Sequence, residues 1–299
     1  MELLAHAPFH LEATVRLLQR RPTNRIDVWE DGTYLRVLEV DGTHWLCRLQ
    51  DLGSLDAPRL KLSVTPSAPA TVRAELERLL GRMLGFSEPS DFGFPGEAEK
   101  SLHPLGVALR GARPPRFPSL FEAFCRIVPY QQLSLDAGGK VAGRLAEAFG
   151  HALPLDTGHI WAFPTPASVA SAEAARFDGI GLSRTKIATL TEIANQIAQG
   201  TLSEPALEGL PTPSALRTLD ALPGIGPWSA ALVLLRGLGR MDVFPPGDVG
   251  ALRGLGELLG ATTSIESLLE RLGDRRGYLY FYALGAQLLK RGLIPPAPT

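Results

Sequence analysis

The stretch at residues 222–248, LPGIGPWSAALVLLRGLGRMDVFPPGD, restricts the fold more than any other part of the chain. It opens on two glycines one residue apart, Gly224 and Gly226, followed by Pro227 and Trp228. Glycine tolerates positive φ and carries no Cβ, so another backbone can come close at such a turn. Pro227 suits the first turn of a helix, where its missing N–H costs nothing. The apolar run at 230–235 predicts that helix. A hairpin of this kind points bare amides and a helix N-terminus outward, which makes a ready anion site. After Gly237 and Gly239, the segment Phe244-Pro245-Pro246-Gly247-Asp248 predicts a stiff loop. That loop delivers one carboxylate to the start of a helix at Val249–Leu259.

The chain upstream has a different texture. A short amphipathic helix at 10–20 is followed by β-like runs at 25–29, 33–40, 43–49 and 59–64. Asp31-Gly32 and Asp41-Gly42 separate the first three at hairpin spacing, which predicts an antiparallel meander. A run at 71–84 spaces its apolar residues by three and four, as a helix on that sheet does. The expected division is an α+β antiparallel-sheet domain over 1–100 and an all-helical region over 101–299. Helices are expected at 120–128, 134–149, 167–175, 186–199, 214–221, 265–271 and 277–289, with Ser264 an N-cap. The fold class is therefore mainly α with an N-terminal α+β domain, and a helix-hairpin-helix falls at about 214–236 with its Gly/Pro-Asp loop at 244–248. Arg110, Arg113 and Arg116 make the densest positive charge before the helical region, as a solvated linker or as contacts to phosphate.

Composition bounds the function. At 45% hydrophobic and 20% charged residues the chain is of ordinary globular type, and its net charge of -1 demands that any anion-binding surface be local. Cys47 and Cys125 cannot make a disulfide framework or a four-cysteine cluster, which fits a reducing cytoplasm and excludes an iron–sulfur centre. The start MELLAHAPFHLEAT has no basic segment before an apolar core, so no signal peptide is expected, and no run reaches a membrane span. The six histidines show no metal-ligand spacing.

The hairpin, the apolar helix and the loop ending in Asp248 resemble the signature of the helix-hairpin-helix DNA glycosylases. The resemblance extends to Phe163-Pro164-Thr165-Pro166, to the Gly179-Ile180-Gly181-Leu182 turn before Lys186, and to Tyr130-Gln131-Gln132-Leu133-Ser134. Members that also cut the DNA backbone carry a lysine where this chain has Trp228. The alkylbase branch, the 3-methyladenine DNA glycosylase II type, carries an aromatic there. The resemblance thus implies a monofunctional base-excision enzyme that hydrolyses the N-glycosidic bond of alkylated purines, such as 3-methyladenine, extruded from duplex DNA. It also implies no metal or cofactor for the chemistry, a monovalent cation on hairpin carbonyls, and work as a cytoplasmic monomer away from membranes. An oxidised-guanine glycosylase and a non-catalytic helix-hairpin-helix DNA-binding protein are the alternatives; Trp228 speaks against the first and the intact Asp248 loop against the second.

Residue by residue, Asp248 is the expected catalytic group, since a fixed carboxylate stabilises an oxocarbenium-like state and can orient water. The same residue also reads as a helix cap. Gly224 and Gly226 are expected to present amides to a DNA phosphate. Gln132 and Leu133 lie on a break between helices, from which the filler of the vacated base stack comes; Leu133 reads equally as core. Trp228, Tyr278 and Tyr282 are candidates for a stacking base pocket, the two tyrosines reading also as core. Leu232 and Leu284 stand where the family's pocket has aromatics. Lys186 is expected to face phosphate.

Overall fold

Two tight turns set the N-terminal sheet. Asp31 and Gly32 have φ of 47° and 71°, and Asp41 and Gly42 have 52° and 72°. Positive φ at both central residues is what a two-residue hairpin turn requires. They join β2 (Asp27–Glu30) to β3 (Thr33–Val40) and β3 to β4 (Thr43–Asp51). With β1 (Glu2–Leu3) and β5 (Leu60–Thr65), the order across the antiparallel sheet is β1-β5-β4-β3-β2. The computed structural model describes residues 1–88, 92, 94–156, 158–260 and 263–297, the side chains of 94 and 97 excepted. The first helix, Leu11–Gln19, and a second at Ala70–Leu84 pack on this sheet.

The region beyond residue 100 is not all helical. A second hairpin, β6 (Ala152–Leu155) with β7 (Gly158–Trp161), follows the helix Leu135–Phe149. Its strands are four residues long and Pro154 interrupts one, so they carry too little alternation to register as strands. Tertiary packing holds them: Ile160 and Ala162 bury against Leu35, Val37 and Leu46 on one face of the first sheet. The main core likewise runs without a break from Leu3 to Ile294.

A buried ion network ties the sheet to the helices. Arg36 on β3 reaches Asp27 at 3.0 Å and Glu122 on the helix Leu120–Ile127 at 2.5 Å. Arg126, one turn beyond Glu122, reaches Asp27 and Glu122 at 2.7 Å each, and the Tyr34 hydroxyl donates to Asp27 at 2.8 Å. Burial raises the Asp27 carboxyl, but Arg126 and Arg36 outweigh it and hold it below the usual carboxylate range. Of Arg110, Arg113 and Arg116, only Arg113 turns inward and is neither a solvated linker residue nor a phosphate contact; Arg110 is exposed and Arg116 half-buried. Arg113 is buried and donates to the carbonyls of His6, Glu88 and Gly111, while Arg110 pairs with Asp56 and Arg116 with Glu88. Apart from Gly111, these partners lie too far away in sequence for local pattern to show them. Both cysteines are free and buried, and burial pushes the Cys47 thiol up to about 12. Among the described residues, no helix is long and apolar enough to cross a membrane.

Candidate active site

The hairpin helix begins at Pro227 with Gly226 as N-cap and runs as Pro227–Val233. It continues as a π-helical turn, Leu234–Leu238, before Gly239 ends it at φ 72°. Gly237 sits where an added Cβ would come within 2.9 Å of the Ala123 Cβ, so this turn packs directly on the helix Leu120–Ile127. Trp228, Leu232 and Arg236 recur every four residues and line one cleft of about 1390 Å³.

Asp248 stands at the same cleft, half-buried. One carboxylate oxygen accepts the Ala251 backbone N–H at 2.8 Å, and the other accepts the Trp228 indole N–H at 3.0 Å. The cap and the site are therefore one arrangement. The helix Val249–Leu259 fixes the carboxylate from below, and the indole fixes it from the hairpin side.

The facing wall belongs to the last helix, Tyr278–Lys290, but not through the tyrosines expected. Tyr282 is fully buried, stacked on Phe92 at 5.4 Å with its hydroxyl donating to the Phe92 carbonyl at 2.5 Å. Tyr278 meets the same ring edge-on, so both belong to the core. The cleft is lined instead by Tyr280 and, one turn on, Leu284. Leu232 and Leu284 do face the cleft, as placed by the resemblance. Tyr280 accepts a hydrogen bond from Arg20 at 2.7 Å. Arg20 caps the first helix with φ 62°, and it brings a charge from the N-terminal unit to the cleft. Burial lowers its pKa, but the phenols of Tyr280 and Tyr130 and the Asp248 carboxylate outweigh that and raise it.

The turn after Tyr130 borders the cleft on its open side. Gln132 and Leu133 are exposed, Leu133 at 40%, so Leu133 is not core. Gln132 holds φ 57°, a left-handed conformation that costs a non-glycine residue about 1–2 kcal/mol. Two residues hold it there. The Gln131 amide donates to the Gly224 carbonyl and the Ser229 hydroxyl at 2.9 Å each. The Lys186 ammonium donates to the carbonyls of Gln131 and Pro129 at 2.7 and 3.2 Å. Lys186 thus braces the turn instead of facing outward for phosphate, and burial lowers its pKa. Sequence offered no sign of this, because a turn carbonyl is an acceptor whatever residue carries it.

The two hairpin glycines differ. Gly224 has φ 78° and an added Cβ there would lie 2.0 Å from the Thr189 Oγ1. At Gly226 the same Cβ would meet nothing within 4 Å. Gly224 is needed by the fold, whereas Gly226 leaves open space beside the cleft.

This architecture has known counterparts. The structure of the 3-methyladenine DNA-glycosylase from Archaeoglobus fulgidus superimposes with a TM-score of 0.81 over 98% of this chain and 100% of that one, at 24% identity. In sequence, the Bacillus subtilis protein YfjP is 24% identical over 81% of this chain and 82% of its own length. DNA-3-methyladenine glycosylase 2 of Escherichia coli is 33% identical over 50% of this chain, and the match spans about half (51%) of that relative. The family model described as HhH-GPD superfamily base excision DNA repair protein matches residues 125–274, which contain the hairpin, the Lys186-braced turn and the Asp248 loop. The chain belongs to the HhH-GPD superfamily of base excision DNA repair proteins.

Proposed function

We propose that this protein is a monofunctional DNA glycosylase that hydrolyses the N-glycosidic bond of alkylated purines, 3-methyladenine among them, extruded from duplex DNA. The observation that carries this reading is the Asp248 carboxylate, held by the Ala251 N–H and the Trp228 indole at the mouth of an aromatic-walled cleft. Breaking the bond to deoxyribose builds positive charge on the sugar, and a preorganised carboxylate stabilises it. Ring-nitrogen methylation makes the base cationic and a good leaving group, so a site with a single carboxylate suffices. The names of the E. coli and A. fulgidus relatives support the alkylbase assignment. Base release from methylated duplex, resolved by chromatography, tests the reading; release of oxidised guanine alone would move the protein to the other branch.

The absence of strand cleavage is part of the proposal. An amine nucleophile would form an imine with the sugar. The indole of Trp228 cannot, and the Lys186 ammonium is engaged by two carbonyls. Borohydride is expected to trap no protein–DNA adduct, with breaks appearing only after alkali. In the hairpin, the Gly224 carbonyl accepts Gln131 and the Leu222 carbonyl accepts Ile225. Each keeps a second lone pair that a monovalent cation can use, and such an ion would steady the turn beside a phosphate without entering the reaction. Gly226 offers the approach to the DNA backbone, exposed Gln132 and Leu133 are the groups to fill the vacated stack, and the protein acts as a monomer.

A further inference from the structure

A second cavity, of about 340 Å³, lies between the turn that follows the first helix and the helix Leu135–Phe149. It shares Arg20 and Tyr130 with the cleft and so sits beside it. Three of its cations, Arg25, Lys140 and Arg144, are exposed, and their side chains make no hydrogen bond or ion pair among the described residues. Glu147 lines the same cavity and pairs with none of them. Lys140 and Arg144 stand four residues apart on one helix, a spacing at which like charges destabilise it. In a chain of net charge -1, this is the local basic footprint that a polyanion requires.

The frame around these cations is fixed. The Asn24 amide donates to the Gln19 carbonyl at 3.0 Å, and its oxygen accepts the backbone N–H groups of Ile26 and Asp27 at 2.8 and 3.0 Å. The Arg25 carbonyl accepts the Trp161 N–H at 2.8 Å. Arg21 donates to the Asp136 carbonyl at 3.2 Å and pairs with its carboxylate, which ties the turn to the start of the helix, just past the Leu133 tip. Small residues leave room on the helix side: at Gly143 an added Cβ would meet nothing within 4 Å. By helical rise Lys140 lies about 8 Å and Arg144 about 14 Å along the axis from Leu135, roughly two to four base-pair steps.

We propose that this cavity is a second phosphate site, through which the N-terminal unit and the helix Leu135–Phe149 together hold the backbone of the duplex outside the base cleft. The proposal rests on duplex DNA being the substrate, but the damaged base plays no part in it, since phosphate contacts position a duplex without reading its sequence.

The test is binding of an undamaged duplex titrated from 50 to 200 mM salt. Each phosphate neutralised contributes about −0.9 to the slope of log affinity against log salt. Lys140→Gln combined with Arg144→Gln is expected to make the slope shallower by roughly 1 or more. Arg73→Gln removes an exposed, unpaired cation that lines neither cavity, and is expected to leave the slope unchanged. An unchanged slope in the double variant, or an equal change in Arg73→Gln, would overturn the proposal. A second variant, Gly143→Glu, places a carboxylate among the cations. Compared with Gly143→Gln it is expected to unfold at a higher temperature and to bind the duplex roughly fivefold or more weakly at 0.1 M salt; equal affinities in the two refute the site. A wild type that releases no methylated base while the slope changes as expected would sink the glycosylase reading and leave the phosphate site standing.

Discussion

Two groups of buried arginine meet at one ring. Phe117 has the Arg126 guanidinium at 5.2 Å and that of Arg236 at 4.8 Å. On the Arg126 side every charge is answered: two arginines meet two carboxylates, and a tyrosine hydroxyl completes the set. On the Arg236 side the guanidinium has the Tyr280 hydroxyl and two ring faces but no carboxylate, and Asp248 of the same cleft is taken up by the indole and a helix amide. Depth is the same and neutralisation is opposite. A closed network joins two parts of a fold; the Arg236 side is open in charge, held by rings and a hydroxyl with no counter-ion of its own.

The sharpest way to break this contrast is one substitution made on each side. Arg36→Met leaves Asp27 and Glu122 short of a partner and is expected to cost about 3–5 kcal/mol of stability by denaturant titration. Arg236→Met loses its ring contacts and the Tyr280 hydroxyl but also a buried charge with no carboxylate partner, so its net effect is expected within about 1 kcal/mol of zero. Acid probes the same network. With the Asp27 carboxyl held low, the network's stabilisation is full above the ordinary carboxylate value of about 4 and is lost as pH falls through the lowered one. Unfolding midpoints measured from pH 6 to 2 should drop in the wild type and drop less in Asp27→Asn.

On the open side, Asp248→Asn can still cap its helix through the Ala251 amide. It is expected to bind DNA while base release in single turnover falls about 10²–10³-fold. Next in size is Trp228→Phe, which keeps the ring and removes the hydrogen bond to the carboxylate; a roughly tenfold loss of rate is expected. The smallest effects on stability separate the hairpin glycines. Gly224→Ala should cost about 1–2 kcal/mol from its positive φ, with the Thr189 clash adding to it. Gly226→Val should change stability by no more than about 0.5 kcal/mol. Its affinity for damaged and undamaged duplex should fall together, and loss for damaged DNA alone would assign the glycine to the base pocket.

Much of this was legible wherever local rules decide the structure. The Asp-Gly turns fixed three strands of the sheet, and the helix at Val249–Leu259 with Asp248 at its cap follows from the Pro-Pro-Gly segment before it. The tyrosines failed for a reason that sequence could have supplied. Leu284 faces the cleft, and a residue two positions away on a helix points to nearly the opposite side. That geometry selects Tyr280 and sends Tyr278 and Tyr282 to the core. The same four-residue step from Trp228 leads through Leu232 to Arg236. What sequence could not supply was the β6–β7 hairpin, the Arg113 contacts and the brace from Lys186, which depend on partners distant in the chain.

That brace has a mechanical consequence. Gln131 is tied to the hairpin through Gly224 and Ser229, and its carbonyl is tied to Lys186, so the Gln132–Leu133 tip cannot drift independently of the hairpin. The spacing between the backbone grip and the tip is a fixed gauge, set before any duplex arrives. On the proposed reading, the duplex is the compliant member of the encounter. A stretch whose stacking is weakened yields to a stiff gauge at less elastic cost than an intact one, so recognition of damage can begin as a difference in DNA stiffness before any base reaches the cleft.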